Sequence, residues 1–338
     1  MTANPGQPEI LALGEPLIEF SALEAGEPID GARFVAGCGG DTCNFVVAVA
    51  RLGGSAGYIT RIGDDPFAAL LRARWETENV DTRFVEKDPA ARTGIYFITR
   101  DEAGHQFTYY RQDSAASRIT PDRLPRTYIR DARWLHVTGI SQAISATAAD
   151  TVSAAVNIAR QSGTLVSYDP NLRLKLWPLA RARDIIHRTL AGVDILLPSY
   201  EDACQLTGMQ DPEQIVRCYL GMGPQIVVLK MGAQGALLGA LPADGGASPT
   251  IRHFAPYEVE AVDTSGAGDT FDAAFTVAFL AGRPLAACVP FANAAAALVT
   301  TGIGTISPIP DARAVRQLMA QSTPAGPPIT GVSAGGGD

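Results

Sequence analysis

Short apolar runs alternate with amphipathic stretches along most of the chain. Ile10-Leu11-Ala12-Leu13-Gly14 is continuously apolar, which predicts a strand buried on both faces, with Glu15 at its carboxyl end. Gly57 to Ile62 predicts another strand, and Gly63-Asp64-Asp65-Pro66 opens a helix with Pro at its first position that runs to about Glu78. From Trp134 the alternation is regular. Trp134–Val137, Leu165–Tyr168, Ile195–Leu197 and Ile226–Leu229 predict buried strands, and Ala146–Gln161, Ala180–Leu190, Tyr200–Thr207 and Pro212–Leu220 predict helices. This is the pattern of an α/β fold, a mostly parallel sheet with helices on both faces. Ligands of such open sheets bind beyond the carboxyl ends of the strands. The residues that follow the strands are therefore candidates: Glu15; Asp169, Asn171, Arg173 and Lys175; Ser199, Glu201 and Asp202; Lys230 and Gly232.

Two regions break the alternation. Ile18 to Val35 contains short extended pieces with Gly26 and Gly31 as turn points. Thr93–Arg100 and Gln106–Arg111 predict a hairpin around Asp101-Glu102-Ala103-Gly104. Together, about 16–36 and 93–112, they predict a small separate β-sheet, a lid beside the α/β body. Near the end, Tyr257–Val262 is a short extended run, Thr270 to about Leu280 is helical, Leu285 to about Thr301 is an alanine-rich helix, and Asp311–Ala320 is a last short one. The Pro/Gly/Ser-rich stretch 322–338 predicts a disordered tail, so residues 1–321 form the expected domain.

Two glycine-rich junctions carry the candidate chemistry. In Asp263-Thr264-Ser265-Gly266-Ala267-Gly268-Asp269-Thr270-Phe271-Asp272 the glycines open onto a helix. The unpaired N–H groups and positive dipole end of a first helical turn favour an anion. Asp269 would repel that anion, which makes sense for a general base that takes the proton of an attacking hydroxyl during phosphoryl transfer. A helix-capping aspartate fits the same residue, and the loop alone leaves both readings open. A P-loop is excluded because no Lys follows the glycines. A dinucleotide fingerprint would need a third Gly and an earlier βα unit. The other junction, Ala36 to Asn44, leads into a helix over Phe45–Leu52 that stops at Gly53-Gly54. There Gly39 and Gly40 let a ligand approach, and Asp41 and Asn44 can bond hydroxyls; a merely capped helix is the alternative.

Composition narrows the field further. A formal net charge of −8 over 338 residues argues against non-specific binding to nucleic acid or to an anionic membrane. The five cysteines are scattered and the four histidines do not cluster, so free thiols in a reducing cytosol fit better than zinc or disulfides. No signal peptide pattern and no membrane-length apolar run is present, and the expected location is cytoplasmic.

The two glycine loops, the hairpin between them and the strand–helix series resemble the PfkB, or ribokinase-like, carbohydrate kinases from about Ile10 to Asp311. Asp263 to Phe271 is similar to that family's signature, and Gly39-Gly40-Asp41-Thr42-Cys43-Asn44 to its sugar loop. Tyr109-Tyr110-Arg111 with Ser114-Ala115-Ala116-Ser117, Asp169-Pro170-Asn171-Leu172-Arg173, and Leu197-Pro198-Ser199 most resemble the 2-keto-3-deoxygluconate kinases. The resemblance implies a three-layer α/β/α ribokinase-like fold with a β-sheet lid. It also implies ATP-dependent phosphorylation of the terminal (C6) hydroxyl of 2-keto-3-deoxygluconate, with Mg²⁺ arriving on the ATP.

Asp269 would be the base, and Gly266, Ala267 and Gly268 the anion hole. Glu15, Gly39, Gly40, Asp41, Asn44, Tyr96, Tyr110, Arg111 and Arg173 would meet the sugar, the arginines forking its carboxylate. Asn171, Arg173, Ser199, Lys230, Gly232, Gly235, Gly266, Gly268 and Asn293 would line the nucleotide side. Many relatives carry an N-x-x-E run that organises the water shell of Mg²⁺; here Ser199-Tyr200-Glu201-Asp202 stands there, with Asp202 at the Glu position. A monovalent cation such as K⁺ would bind near Asp263, Ser265 and Thr300–Gly304. The exposed lid edge suggests a homodimer. The rivals are a kinase of the same family for a neutral sugar or nucleoside (fructose, ribose, adenosine) and a non-catalytic sugar or nucleotide sensor.

Overall fold

The computed structural model describes residues 6–24, 26, 30–101, 104–242, 246 and 248–321. The expected tail at 322–338 and the hairpin tip at 102–103 lie outside the described residues. Thirteen strands are seen among them: β1 Ile10–Leu13, β2 Leu17–Ala22, β3 Phe34–Gly39, β4 Ala56–Gly63, β5 Asp81–Asp88, β6 Gly94–Asp101, β7 Gly104–Tyr110, β8 Trp134–Thr138, β9 Leu165–Asp169, β10 Ile195–Leu196, β11 Ile226–Lys230, β12 Ala236–Ala240 and β13 Thr250–Phe254.

Nine of these form one sheet in the order β13-β12-β11-β10-β9-β8-β1-β4-β5. The seven strands β11, β10, β9, β8, β1, β4 and β5 run parallel, and β12 and β13 add antiparallel at one edge. The alternation of side chains along β1 shows why its run is apolar throughout. Ile10 and Ala12 enter one hydrophobic layer, and Leu11 and Leu13 enter the other.

The first layer is built by the helices α1 Asp41–Arg51 and α2 Pro66–Thr77. The second is built largely by α3 Arg126–Asp131, α4 Gly139–Ala143, α5 Ala146–Ser162, α6 Leu179–Leu190, α7 Tyr200–Thr207 and α8 Pro212–Leu220. The helices α9 Ala267–Leu280, α10 Leu285–Val299 and α11 Ala312–Gln321 return to the first. The result is the expected α/β/α sandwich. No helix among the described residues is long and apolar enough to cross a membrane.

The lid is a four-stranded sheet, β3-β2-β6-β7. Its segments differ from expectation at one end: β3 continues to Gly39, and α1 begins at Asp41, so the glycine junction shrinks to Gly40 at φ 98°. That positive φ is where only glycine sits without strain. The run Tyr257–Val262 forms no strand; β13, at 250–254, is the last one, and the chain then crosses the sheet end to reach Gly266. The helix after it starts at Ala267, three residues before the apolar periodicity does. The polar Gly268 and Asp269 hide its first turn from a pattern search.

Candidate active site

Two cavities open beyond the carboxyl ends of the strands, of about 840 and 950 Å³. The first lies between the lid and the sheet and is lined by Asp41, Asn44, Tyr96, Arg111 and Asp269 among others. The second lies over β11–β13 and α10 and is lined by Gly235, His253, Tyr257 and Asn293 among others.

Asp269 sits in the first turn of α9, whose N-cap is Gly266 at φ 76° with no side-chain cap. The capping reading of Asp269 is thereby excluded. Its carboxylate is part-buried in the first cavity, where Asn44 Nδ2 donates to Oδ2 at 2.8 Å. Its pKa is pushed up to about 7, chiefly by burial and then by the Asp41 carboxylate, while Asn44 opposes the rise. A carboxyl with that value is poised to accept a proton near neutral pH.

The anion loop is held from behind. Asp263 Oδ1 accepts from Ser265 N at 2.9 Å and Oδ2 from Gly304 N at 3.0 Å. The Ala267 amide donates to Thr264 O at 3.3 Å, so the expected three-amide hole contracts to Gly266 and Gly268. Neither of those amides has a protein acceptor among the described residues.

The other expected residues divide clearly. Gly40, Asp41, Asn44, Tyr96, Arg111 and Arg173 line the first cavity, together with Asn171, Ser199 and Asp202. Burial raises the pKa of Asp41. Tyr96 donates to Glu19 Oε2 at 2.5 Å, and its own pKa is driven well up by burial. Ser199 and Asp202 both have local work. Ser199 Oγ accepts from Asp202 N at 3.2 Å to cap α7, and Asp202 Oδ2 accepts from Leu172 N at 2.9 Å. Lys230, Gly232 and Gly268 line both cavities, and Gly235 and Asn293 line the second. Asn293 Nδ2 donates to Ala255 O at 3.0 Å.

Three expectations are corrected. Glu15 is 1% exposed beneath the cavity, where Ser114 Oγ donates to Oε1 and Arg111 Nε to Oε2 at 2.7 Å. It therefore holds Arg111 and does not reach the cavity. Gly39 ends β3 under the Tyr96 hydroxyl, with no room for a ligand beside it. Tyr110 points to the other face of β7, edge-on to Phe97 and 64% exposed, while Tyr109 lines the cavity and stacks on Tyr96. The alternation of a strand carried this information: 107, 109 and 111 share one face, so Tyr110 could not join Arg111.

Thr305, which also lines the first cavity, comes from the loop after α10 and has no sequence mark. Asp272, which binds Lys230, is hidden as an apparent interruption of an apolar helix. Among the described residues no group of three or more His, Cys, Asp or Glu side chains could hold a metal ion. The donor set suits a divalent ion that enters with the nucleotide, with Glu201 and Asp202 at the wall as acceptors for its water.

Comparison with known proteins gives a consistent set of relatives. Residues 7–312 match the pfkB family carbohydrate kinases. A 2-dehydro-3-deoxygluconokinase of Thermoproteus tenax is 35% identical over 315 residues, covering 92% of this chain and 94% of that protein. A fructokinase of Klebsiella pneumoniae is 34% identical, covering 89% of this chain and 96% of its own. Among solved structures, an E. coli protein designated ribokinase II, in complex with ATP and Mg²⁺, superimposes with a TM-score of 0.84 at 27% identity, over 93% of this chain and 100% of that one.

Proposed function

The chain belongs to the pfkB family of carbohydrate kinases, and from that premise we propose that it transfers the γ-phosphoryl group of ATP to the C6 hydroxyl of 2-keto-3-deoxygluconate, giving 2-keto-3-deoxy-6-phosphogluconate. The sugar lies in the cavity under the lid and the nucleotide in the cavity over β11–β13. Asp269 takes the proton of the attacking hydroxyl, and the amides of Gly266 and Gly268 stabilise the charge on the oxygens of the migrating group. Asp41 bonds sugar hydroxyls. Lys230, Gly232, Gly235 and Asn293 line the nucleotide cavity, and Asn171, Arg173 and Ser199, on the wall of the first cavity, meet the phosphates where they reach into it. Mg²⁺ arriving with ATP would neutralise phosphate charge, and Asp202 at the cavity wall would help hold its water shell. A monovalent cation would rest near Asp263 and Ser265, and two copies would pair through the lid, whose Leu23, Val35 and Tyr110 are exposed.

The observation that carries the acid-sugar reading is Arg111. Its side chain is 9% exposed, is fixed at the cavity wall by Glu15, and faces the same space as Arg173 and Lys175. A carboxylate seated there meets an oriented guanidinium, whereas a neutral sugar has no charge to offer it. One feature favours the neutral-sugar alternative: Glu15 already neutralises Arg111. A panel of 2-keto-3-deoxygluconate, fructose, ribose and adenosine, assayed for ADP release, decides between them. The highest kcat/KM on the acid sugar is expected; a higher value on fructose overturns the assignment.

A further inference from the structure

Lys230 stands where the two cavities meet. Among the described residues, Lys230, Gly232, Thr264, Ala267 and Gly268 line both, and Lys230 is the only charged one of the five. A phosphoryl group passing from nucleotide to sugar has to cross this seam. Lys230 Nζ also lies 3.4 Å from the point a Cβ on Gly268 would occupy, beside the amide assigned to the anion hole.

The lysine is held from below. Nζ donates to Asp169 Oδ2 at 2.8 Å and to Asp272 Oδ1 at 2.9 Å. An ammonium has three N–H donors, so one remains after these two bonds. Asp272 is 1% exposed, and its carboxyl also hydrogen-bonds that of Asp169. A buried triad of this kind is usually no more stable than apolar residues of the same volume. Packing therefore gives no reason to keep it. Burial works against the Lys230 charge, but the two carboxylates outweigh it and hold the pKa above the ordinary lysine value. Burial also drives Asp272 well up, whereas in Asp169 the lysine outweighs burial and the pKa falls. The lysine thus keeps its proton, and one carboxylate carries most of the counter-charge.

We propose that Lys230 is a catalytic residue that donates its third N–H to the phosphoryl group as it crosses the seam, and that Asp272 is the positioning residue that aims it. As the sugar O–P bond forms and the bond from Pγ to the β-phosphate oxygen breaks, the electron pair stays on ADP and the hydroxyl proton goes to Asp269. Lys230 keeps all its protons throughout. The inference rests on family phosphoryl transfer and not on which sugar is used.

The test uses the full chain, wild type and two variants, Lys230→Met and Asp272→Leu. Each is titrated with Mg²⁺ plus ADP and with Mg²⁺ plus the β,γ-imido analogue of ATP, then assayed on the best sugar of the panel. Lys230→Met is expected to lose about tenfold or more in affinity for the triphosphate analogue relative to ADP, the size of a hydrogen bond to a charged group. Its kcat is expected to fall about 100- to 1000-fold, as for loss of one oxyanion donor, with the sugar KM unchanged. Equal weakening of both nucleotides, or an unchanged kcat, overturns the role of Lys230.

Asp272→Leu removes the acceptor for Lys230 at similar volume and leaves Asp169 as the counter-charge. It is expected to lower kcat with Tm unchanged or raised; a lowered Tm with kcat unchanged makes Asp272 a packing residue only. If Lys230→Met fails to fold, Lys230→Arg replaces it in the same titrations; it keeps the charge, so the preference for the triphosphate over ADP should persist while kcat drops, and loss of the preference overturns the proposal. A wild type that phosphorylates no sugar strikes the substrate reading, while the paired nucleotide titrations still decide this one.

Discussion

Asn44 Nδ2 donates to Asp269 Oδ2 at 2.8 Å, joining the first turns of α1 and α9 across 225 positions of sequence. The bond favours the ionised carboxylate and works against the burial that raises its pKa. Asn44→Ala should therefore push the Asp269 pKa above about 7. A general base acts deprotonated, so the acid limb of kcat/KM should move to higher pH, with more activity lost at pH 6 than at pH 9. Asn44 Oδ1 is buried without a partner, so stability should change little. A pH–rate profile checks this, and an unmoved acid limb would separate Asn44 from the base.

Asp269→Asn should remove proton abstraction and leave nucleotide binding intact. General-base catalysis is worth about 10²–10⁴-fold, so kcat should fall by that order. The same change should raise stability. The folded pKa of about 7 stands above the ordinary 3.8, so folding favours the protonated form. The carboxyl is harmless below pH 3.8, and its penalty grows as pH rises and is complete above about 7. At pH 8 the variant should be more stable by about 1–2 kcal/mol, allowing for the solvent exposure of the side chain. Thermal melts at pH 4 and pH 8 should show a gain only at the higher pH; a gain at both, or at neither, would contradict the buried-charge account.

The parallel core, the helices and the place of the ligand could be read from the chain because they depend on local pattern. The apolar run of β1 and the period of α8 each state which faces are buried. Residues brought in from a distance carry no such mark. Thr305 reaches the cavity only because Asp263 ties Gly304 to the anion loop. Asp272 reads as a flaw in an apolar helix until Lys230 is seen beside it. Glu15 sits where a ligand residue should stand, at the end of β1, but the return of the chain at Arg111 and Ser114 occupies it. That pairing is tertiary and cannot be read from spacing. The edge strands β5 and β13 are partly exposed, so their pattern is weaker than that of the central strands.

Arg111 and Glu15 should be changed together. Removing Arg111 alone leaves Glu15 buried and unpaired, a loss of about 3–5 kcal/mol that would confuse the kinetics. In the double variant Glu15→Gln, Arg111→Met the buried charge is gone from both sides. If Arg111 binds the sugar carboxylate, KM for 2-keto-3-deoxygluconate should rise about 10- to 100-fold, the size of a charged hydrogen bond. KM for fructose should stay near its wild-type value. Steady-state assays on both sugars give the answer, and equal rises would remove the carboxylate assignment.

Gly266 occupies φ 76°, and a Cβ placed on it would lie 2.9 Å from the Thr305 carbonyl oxygen. Alanine there faces two problems at once. The left-handed backbone costs about 1 kcal/mol for a residue with a side chain, and the backbone at Thr305 has to yield. Either the anion loop or the loop at 305 moves, and the Gly266 and Gly268 amides lose their aim. A misplacement of about 1 Å at a reacting centre costs on the order of 100-fold in rate. Gly266→Ala should therefore lower kcat by about that factor while KM for the sugar rises less, because Asp41 and Arg111 stand on other elements. Gly268→Ala provides the contrast. Gly268 lies inside α9 at ordinary helical φ, and the nearest atom to its added Cβ is the flexible end of Lys230 at 3.4 Å. Its fold should be unharmed, and any loss of kcat there would report on crowding at the seam. A kcat loss that is much larger in Gly266→Ala than in Gly268→Ala would support the aim of the loop amides, whereas a Gly266→Ala enzyme as fast as wild type would move the anion site elsewhere.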